Sequence, residues 1–572
     1  MDMKTRIAAL AAECMKSLWP DAEGLPAAEE LRGLLVVPPD PALGDYAFPC
    51  FRLAKPLRTA PPKIAEALCA AWNHAEVASV RPVNGYMNFF LNRENFAAET
   101  LAALLSQGER FGSSDLGKGK TVCLDYSSIN IAKRFHIGHL STTMIGHSLK
   151  RIFDFLGYTT VGINHLGDWG TQFGKMVCAY KKWGSREDVE SRGIDAMTEL
   201  YVRFHEEAEK DPTLEDEGRA WFKKIEDNDP EAMEIFSWFK EVTLRDAAKV
   251  YEKLGVTFDS YAGESFYNDK MEPVIQELRD KGLLVQSEGA WVVDLEEDNM
   301  PPCLILKSDG ATIYATRDLA AAIYRQNTYH FDKCLYVVAY QQDLHFRQVF
   351  RVLEKMGYPW AKDCVHVAFG MVSFEGEALS TRKGNVVLLD DLLDQAVAKA
   401  REIIEEKSPN LENKDEVARQ VGIGAVVYTD LSANRIKDID FRWERALNFD
   451  GESAPYVQYT HARCCSVLRK AGDLVNAAPD WSALTDDEAQ ALLRLLSRFP
   501  DVIREAADKY EPSMITRAVT DIAQAFNKYY YEHRILDGEP AQAAARVALT
   551  EATRAVIKTG LYLIGIEAPE RM

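Results

Sequence analysis

Two histidines in a short turn between a predicted strand and a predicted helix constrain this chain more than any other feature. Residues 120–125 are predicted as a buried strand and residues 140–153 as a helix, with His136 and His139 between them. Side chains three positions apart lie on one face of a helical turn, and Gly138 leaves room for a planar ligand. A helix start offers unpaired N–H groups and a positive dipole end, which attract phosphate. The stretch therefore predicts a nucleotide-binding turn.

Histidines at this spacing can instead be one structural residue and one surface residue. The flanking residues favour nucleotide binding, because Lys133 and Arg134 place two cations beside the same turn. A strand, a turn and a helix in this order also form the unit with which open α/β sheets bind nucleotides.

The same stretch resembles the first signature of the class I aminoacyl-tRNA synthetases, and its flanks resemble the arginyl-tRNA synthetases. That family has roughly the pattern E-Y-x-S-P-N-x-A-K-P-x-H-x-G-H. Here Asp125 stands for the glutamate, and Ile129 and Arg134 stand for the two prolines. The polar and basic residues that keep the family register are Ser128, Asn130, Lys133, His136 and His139.

Length and charge limit the classes of protein that this chain can be. A chain of 572 residues is too long for one core. The formal charge of −20 argues against a non-specific nucleic-acid binder, although a local basic groove could still bind tRNA. The ten cysteines form no CxxC pair, which predicts reduced thiols in a cytoplasm and no metal ligands. No apolar run is long enough for a bilayer and no signal peptide is expected.

Three domains are expected, in an α/β fold class. Residues 1–110 are predicted to form a small α/β domain, and residues 396–572 an α-helical domain. Between them, residues 111–395 are expected to form a Rossmann-type domain with a parallel sheet and a helical insertion near 185–290. Within this domain, residues 258–267 and 364–371 are predicted strands, and a helix is predicted to begin at Asp318. The resemblance implies that the first domain contacts tRNA and that the last binds the anticodon.

The amino-acid pocket is expected from a second match to the family. Tyr314 and Asp318 fall on its Y-x-T-R-D segment, although Asp318 could simply be a favourable carboxylate in the first turn of a helix. A guanidinium is a planar fork with five donors, and its selection requires fixed acceptors. Asp125, Asp318 and Tyr314 could supply them. The α-amino and carboxylate groups of arginine are expected, by resemblance, to bind Ser128, Asn130, His139 and Gln342.

A second class I signature is expected in residues 378–385, ALSTRKGN, where Ala378 replaces the usual first lysine. We therefore hypothesise that Lys133 supplies the missing cation, with Arg382, Lys383 and Mg²⁺. The residues expected to bind ATP are His136, Gly138, His139, Ser380 and Lys383. Those expected to be catalytic are Lys133, His136, His139, Arg382 and Lys383.

Residues 448–463 combine aromatic and basic side chains, as recognition of single-stranded RNA requires. Tyr456, Tyr459 and Arg463 are the candidates for tRNA binding, although both tyrosines could equally be core residues of a helical bundle. The resemblance adds Met572, because chains of this family end close to the anticodon.

The expected function is the ATP-dependent activation of L-arginine and its transfer to the 3′-terminal adenosine of tRNA. Arginine and tRNA are the expected partners, a monomer is expected, and the resemblance implies that activation requires bound tRNA. Two alternatives are a nucleotidyltransferase acting on a small substrate and a non-catalytic tRNA-binding protein. Arginine-dependent pyrophosphate exchange, with and without tRNA, separates the three.

Overall fold

Apolar residues recur three and four positions apart from Met3 to Leu18, and this segment forms the N-terminal helix. The computed structural model describes residues 3–74, 77–131, 133–308, 311–378 and 387–572. The first elements are α1 (Met3–Leu18), α2 (Ala28–Leu34), β1 (Tyr46–Pro49), α3 (Ala54–Leu57), α4 (Pro61–Ala71), β2 (Val77–Val83), β3 (Tyr86–Leu91) and α5 (Arg93–Gln107). The three strands form an antiparallel sheet in the order β1-β3-β2.

The middle of the chain alternates strands with helices. Its elements are β4 (Thr121–Asp125), α6 (Leu140–Phe155), β5 (Thr159–Ile163), α7 (Thr171–Trp183), α8 (Arg186–Arg192), α9 (Ile194–Lys210), α10 (Thr213–Glu226), α11 (Pro230–Leu254), α12 (Met271–Asp280), β6 (Leu284–Ser287), β7 (Ala290–Val293), β8 (Cys303–Leu306), α13 (Tyr314–Tyr329), β9 (Lys333–Tyr336), α14 (Asp343–Lys355), β10 (Cys364–His366), β11 (Val372–Phe374) and β12 (Glu377–Ala378).

The C-terminal region is helix-rich, as predicted. Its elements are α15 (Leu389–Lys407), α16 (Lys414–Leu431), β13 (Ile439–Phe441), α17 (Trp443–Ala446), α18 (Ala454–Ala471), α19 (Asp487–Lys509), α20 (Ser513–Glu532) and α21 (Pro540–Leu563). In the described part of the chain, no helix combines the length and the apolar character that a membrane crossing needs.

The chain divides into two compact units, each built from separate segments. The smaller comprises Met1–Ser106, Ala471–Arg494 and His533–Leu549, and the larger comprises Gln107–Lys470, Leu495–Glu532 and Thr550–Met572. The expected domain boundaries at residues 110 and 395 remain predictions.

A parallel sheet in the order β10-β9-β4-β5 lies in the larger unit and confirms the predicted sheet type. Strand β4 is buried from Val122 to Asp125, as expected for a strand covered on both faces. Its neighbours β5 and β9 lie on opposite sides, so the strand order reverses beside β4. In open α/β sheets, ligands bind at the carboxyl ends of the strands at such a point. Asp125, the last residue of β4, pairs in register with Tyr336.

Three predictions of secondary structure are wrong: two element boundaries and one strand. The helix predicted from Asp318 begins one turn earlier, at Tyr314, because the Thr316 hydroxyl donates to the Ile305 carbonyl and ties the first turn to β8. The strand predicted over 364–371 ends at His366. A side chain at Gly370 would lie 2.3 Å from the Lys437 carbonyl oxygen, so the chain there packs against other backbone.

The third wrong prediction is the strand over 258–267. Apart from a bridge between Ile163 and Ser260, the segment is irregular, and a 3₁₀ helix begins at Glu264. The buried Asp168 carboxylate accepts hydrogen bonds from the Ser265 backbone N–H at 2.8 Å and from its hydroxyl at 2.7 Å. Side-chain hydrogen bonds therefore replace a strand ladder there.

Candidate active site

The two signature histidines form a compact pair at the start of α6. His136 caps a 3₁₀ turn over Ile137–His139 that leads into the helix. The Gly138 N–H donates to His136 Nδ1 at 3.1 Å, and the His136 N–H donates to His139 Nδ1 at 3.2 Å. The ring centroids lie 4.0 Å apart. Each imidazole is thus oriented by the backbone of the turn itself.

Both imidazoles are neutral at physiological pH. Burial, aided by the Lys133 charge, lowers the pKa of His136. Burial and the neighbouring His136 lower the pKa of His139 to about 3. Because His136 Nδ1 accepts a hydrogen bond, the ring proton of His136 is assigned to Nε2. His136 can therefore donate from Nε2 to an anionic oxygen without carrying a charge.

Gly138 is required by the histidine as well as by any ligand. A Cβ at this position would lie 2.8 Å from His136 Cε1 and 2.9 Å from Nδ1. A side chain would therefore displace the imidazole from its backbone contact. The structure thus gives Gly138 a second role beyond the room that it leaves for a planar ligand.

The segment that follows the second signature contacts the first. The Ile137 N–H donates to the Val387 carbonyl at 2.9 Å, and the Leu389 N–H donates to the Phe135 carbonyl at 3.0 Å. Ser380, Thr381, Arg382 and Lys383 lie outside the described residues, as does Asn385. The end of their segment is nevertheless tied to the histidine turn by these two bonds.

Asp125 already has two partners inside the protein. Its Oδ2 accepts from Arg325 Nη2 at 2.8 Å, and its Oδ1 accepts from the Ser128 hydroxyl at 2.8 Å. Asp125 and Arg325 are both buried. The carboxylate expected at the substrate guanidinium is thus paired with a guanidinium of the chain.

Ser128 reaches Asp125 through an unusual turn. Ser127 and Ser128 both have left-handed backbones, with φ of 70° and 44°, a conformation that is uncommon outside glycine. The Ser127 N–H donates to the Thr142 hydroxyl at 3.0 Å, and the hydroxyls of Ser127 and Tyr251 lie 2.7 Å apart. These bonds hold the strained turn, as is common near functional sites.

Tyr314 and Asp318 lie one turn apart at the N-terminal end of α13. The Tyr314 side chain is exposed, whereas Asp318 is partly buried and its Oδ2 lies 2.6 Å from His345 Nε2. Tyr314 has the accessible phenol and Asp318 the fixed carboxylate that a guanidinium site needs.

Glu264 is a further carboxylate near Asp318, and it was not predicted from the sequence. It lies 3.7 Å from Arg317, which neighbours Asp318 in the chain. Burial raises the pKa of Glu264 to about 7, the nearby charges of Asp318 and Asp168 act in the same direction, and Arg317 opposes them. Gly263 allows this placement, since a Cβ there would lie 2.6 Å from Asp168 Oδ1.

The remaining predicted binding residues have accessible side chains. Lys133, Asn130 and Gln342 are all exposed. Asn130 forms a parallel bridge with Gly167, where a Cβ would lie 2.3 Å from Asn130 Oδ1. Gly167 therefore leaves the room that the Asn130 amide occupies.

The predicted tRNA-binding residues of α18 lie in an aromatic and basic cluster. The Arg463 guanidinium lies 4.8 Å from the Tyr459 ring centroid and 5.0 Å from that of Tyr530, and it donates to the Asn527 side-chain carbonyl. Tyr459 and Tyr530 are exposed and the adjacent Tyr531 is 87% exposed, so rings are available for stacking. Tyr456 is partly buried.

Met572 packs against an apolar cluster of α15 and α16 that includes Ile404 and Val421. Its side chain is partly buried there. The position of the last residue is therefore set by contacts within the C-terminal helical region.

Four side chains near the site were not assigned from the sequence: Glu264, Arg325, His165 and Arg317. Arg325 gives a weak signal, because it is a charge following the small, apolar run 319–323 on a helix. Glu264 gives none, because its segment was predicted as a strand.

Comparison with known proteins covers nearly the whole chain. Three family models match: tRNA synthetases class I (R), catalytic domain, over residues 100–443; the DALR anticodon binding domain, over 457–572; and the arginyl tRNA synthetase N terminal domain, over 3–91.

Relatives named arginine–tRNA ligase are found in Alkaliphilus metalliredigens and Clostridioides difficile. Each is 54% identical to this chain, over 95% of this chain and 96% of the relative. Among solved structures, the arginyl-tRNA synthetase of Thermus thermophilus matches over 100% of both chains, with a TM-score of 0.80 and 26% identity.

Proposed function

Because this chain belongs to the class I arginyl-tRNA synthetases, we propose which of its side chains carry the steps of that family's reaction. The chain is an arginine–tRNA ligase, which activates L-arginine with ATP and transfers it to the 3′-terminal adenosine of tRNA. The single observation that carries the residue assignment is that Tyr314 and Asp318 lie one turn apart on α13, the same helix whose Arg325 is paired with the buried Asp125.

ATP is proposed to bind at the histidine turn. His136 and His139 would donate hydrogen bonds to its phosphates and ribose region, and Gly138 keeps the turn open. Ser380 and Lys383 would reach the phosphates from the other signature, since residues 387–389 are bonded to the first.

Mg²⁺ is proposed to enter with ATP. Among the described residues, the one group of side chains close enough together to hold a metal ion is Asp486, Glu488 and His533, and it does not include either signature histidine. Such ions are commonly held by substrate phosphates and water. When bound, Mg²⁺ would offset negative charge on the phosphates.

The arginine side chain is proposed to bind between Asp318, Tyr314 and Glu264. Both oxygens of Asp125 accept hydrogen bonds within the protein, so we assign the second carboxylate of the guanidinium site to Glu264. Asp125 would then act on the substrate indirectly, by accepting the hydrogen bond that orients the Ser128 hydroxyl. The α-amino and carboxylate groups would bind Ser128, Asn130, His139 and Gln342.

Activation is proposed to depend on positioning and on charge. An oxygen of the arginine carboxylate attacks the α-phosphorus of ATP, and pyrophosphate leaves with its bonding electrons. Negative charge grows on the phosphate oxygens, where His136, Lys133, Arg382 and Lys383 would stabilise it. The 2′-hydroxyl of the terminal adenosine then attacks the arginyl carbonyl and AMP leaves.

The tRNA is proposed to contact both ends of the chain. Residues 1–110 would contact its body, and residues 396–572 would bind the anticodon through Tyr456, Tyr459 and Arg463, with Met572 close by. We propose that the chain acts as a monomer in the cytoplasm, where its ten free cysteines stay reduced.

Arginine-dependent pyrophosphate exchange, with and without tRNA, tests the assignment. Asp318→Asn should raise the KM for arginine by about 100-fold or more, since a charge-assisted contact with the guanidinium is lost. The matched control is Asp343→Asn, an exposed aspartate in the next helix. An unchanged KM in Asp318→Asn would refute the pocket, and exchange driven by another amino acid would refute the substrate.

A further inference from the structure

Arg325 is a buried guanidinium to which none of the proposed reaction steps assigns a role. Its side chain is 1% exposed, and arginine is rarely so buried unless it is paired. Its Nη2 donates to Asp125 at 2.8 Å and lies 3.3 Å from His165 Nδ1, and its guanidinium carbon lies 5.2 Å from the Tyr336 ring centroid. The contacts come from β4, β9 and the loop after β5, all at the carboxyl edge of the sheet.

Arg325 also shares a face of α13 with the proposed guanidinium site. Residues in an α-helix are spaced by about 100°, so Tyr314, Asp318 and Arg325 fall within about 40° of one another. Along the axis, Arg325 lies about 10 Å beyond Asp318. The helix therefore has the substrate-facing residues at its N-terminal end and an anchor to the sheet two turns later.

Asp125, the partner of Arg325, is hydrogen-bonded to Ser128, one of the residues proposed to bind the α-amino and carboxylate groups of arginine. Asp125 accepts from the Ser128 hydroxyl with the oxygen that Arg325 does not use. Ser128 is fixed in turn by the strained backbone of residues 127 and 128. An unbroken chain of contacts thus joins Asp318 to Ser128 through α13, Arg325 and Asp125.

We propose that Arg325 is a positioning residue whose ion pair with Asp125 sets the distance between the two ends of the arginine pocket. The pair selects the length of the substrate side chain, because a rigid spacing fits only one number of methylene groups. The inference rests on the proposed roles of Asp318, Tyr314 and Ser128.

A guanidinium suits this position better than an ammonium group. Arg325 donates to Asp125 through one nitrogen, Nη2, and the rigid plane of the guanidinium orients that donor, whereas an ammonium group is a point charge on a flexible stem. Arg325 also remains charged: burial acts to lower its pKa, but Asp125, Tyr267 and Tyr336 hold the pKa above its ordinary value.

Three amino acids that differ by one methylene provide the test: arginine, homoarginine and 2-amino-4-guanidinobutyrate. Aminoacylation of tRNA by the full chain would be measured for wild type, Arg325→Lys and Asp125→Glu, which keep both charges. A pocket separates substrates that differ by one methylene by about 10–200-fold in kcat/KM. We expect both variants to lose about tenfold or more of this discrimination in at least one direction.

The control is Arg351→Lys on the neighbouring helix α14, which alters the ion pair of Arg351 with Asp298. It should keep the wild-type ratios. A third variant, Asp125→Asn with Arg325→Met, removes both charges together, a change that buried pairs often tolerate. Discrimination should fall there too, while Tm is followed to record stability.

Wild-type ratios in the charge-retaining variants, whatever their Tm, would overturn the proposal and leave the pair a purely structural role. If Asp318→Asn leaves the KM for arginine unchanged, the pocket itself is wrong. If Asp318→Asn raises that KM while the Arg325 and Asp125 variants keep wild-type ratios, only the spacing proposal fails.

Discussion

The pairing of His136 with His139 shows how much of this site is built from contacts within one turn. Backbone N–H groups engage one nitrogen of each ring, so the rings are oriented before any ligand binds. Because burial lowers both pKa values, neither ring gains a proton as the pH falls through 7. We therefore propose that the cationic side chains that stabilise the phosphates are lysine and arginine, alongside Mg²⁺.

Replacement of Lys133 by alanine tests this division of roles. Loss of a donor to a developing phosphate charge costs about 100-fold or more in rate, so Lys133→Ala should reduce kcat for pyrophosphate exchange by at least that factor. Lys118→Ala, the same change at another exposed lysine, is the control. A loss of only a few-fold would leave the missing lysine at Ala378 without a substitute.

The KM for arginine should depend on pH through Glu264. Burial raises the pKa of this carboxyl to about 7, so it is ionised above that pH and neutral below it. As the pH falls from 8 to 6, the neutral form loses its attraction for the guanidinium and KM should rise. Glu264→Gln should show the high KM at every pH.

Glu272→Gln, at an exposed position of α12, should keep the wild-type pH profile. A wild-type KM that stays flat between pH 6 and 8 would remove Glu264 from the pocket.

At the scale of elements, the signature helix α6 is tied to the C-terminal region along its length. The Ser141 hydroxyl donates to Asp430 of α16 at 2.5 Å, and the Ser148 hydroxyl donates to the Leu563 carbonyl at 2.9 Å. Arg151 donates to the Tyr562 carbonyl at 2.7 Å and lies over the Tyr562 ring. Movement of the C-terminal helices would therefore displace α6, the helix that begins at the histidine turn.

Asp430 should make the stability of this junction depend on pH. Burial raises its pKa to about 7, far above the unfolded value, and the Ser141 hydroxyl opposes the shift only in part. The folded state therefore favours the protonated form, whose stabilisation is complete below the unfolded pKa and is lost as the pH rises through about 7.

Asp430→Asn should then raise stability relative to wild type by about 1–3 kcal/mol at pH 8, because a buried carboxylate is removed. The difference should shrink at pH 5. Unfolding in urea at the two pH values measures it, with Asp521→Asn on α20 as a less buried control. A constant difference at both pH values would contradict the assignment.

At the scale of the whole molecule, residues 567–569 connect α18, the helix proposed to bind tRNA, to the rest of the larger unit. Gln458 of α18 donates to the Glu567 carbonyl at 2.8 Å, and His461 Nδ1 lies 2.9 Å from the Pro569 carbonyl. The same tail follows α21, whose Tyr562 contacts Arg151 of α6. Continuous packing thus runs from the aromatic cluster to the signature helix, as dependence of activation on tRNA would need.

Replacement of Tyr459 tests the proposal that the aromatic cluster of α18 binds RNA. Stacking of a base on an aromatic ring contributes about 1–3 kcal/mol, so Tyr459→Ala should raise the KM for tRNA by about tenfold while the KM for arginine at saturating tRNA stays unchanged. Tyr261→Ala removes another exposed tyrosine, which lies in the segment between α11 and α12, and should have little effect on tRNA. Equal effects of the two changes would argue against stacking on Tyr459.

The sequence by itself determined the features that depend on local pattern. The buried strand before the histidines, the helix after them and the parallel sheet follow from periodicity and from residue order, and all three are confirmed. The family followed from motifs within short segments, because such motifs do not depend on distant contacts.

Only the tertiary structure decided which charges meet. Asp125 and Arg325 are 200 positions apart, and no local rule links them. Glu264 lies in a segment whose conformation is fixed by hydrogen bonds to Asp168, almost a hundred positions earlier. Pairings of this kind depend on the way strands and loops from distant parts of the chain come together at one edge of the sheet, and periodicity in the sequence does not record that arrangement.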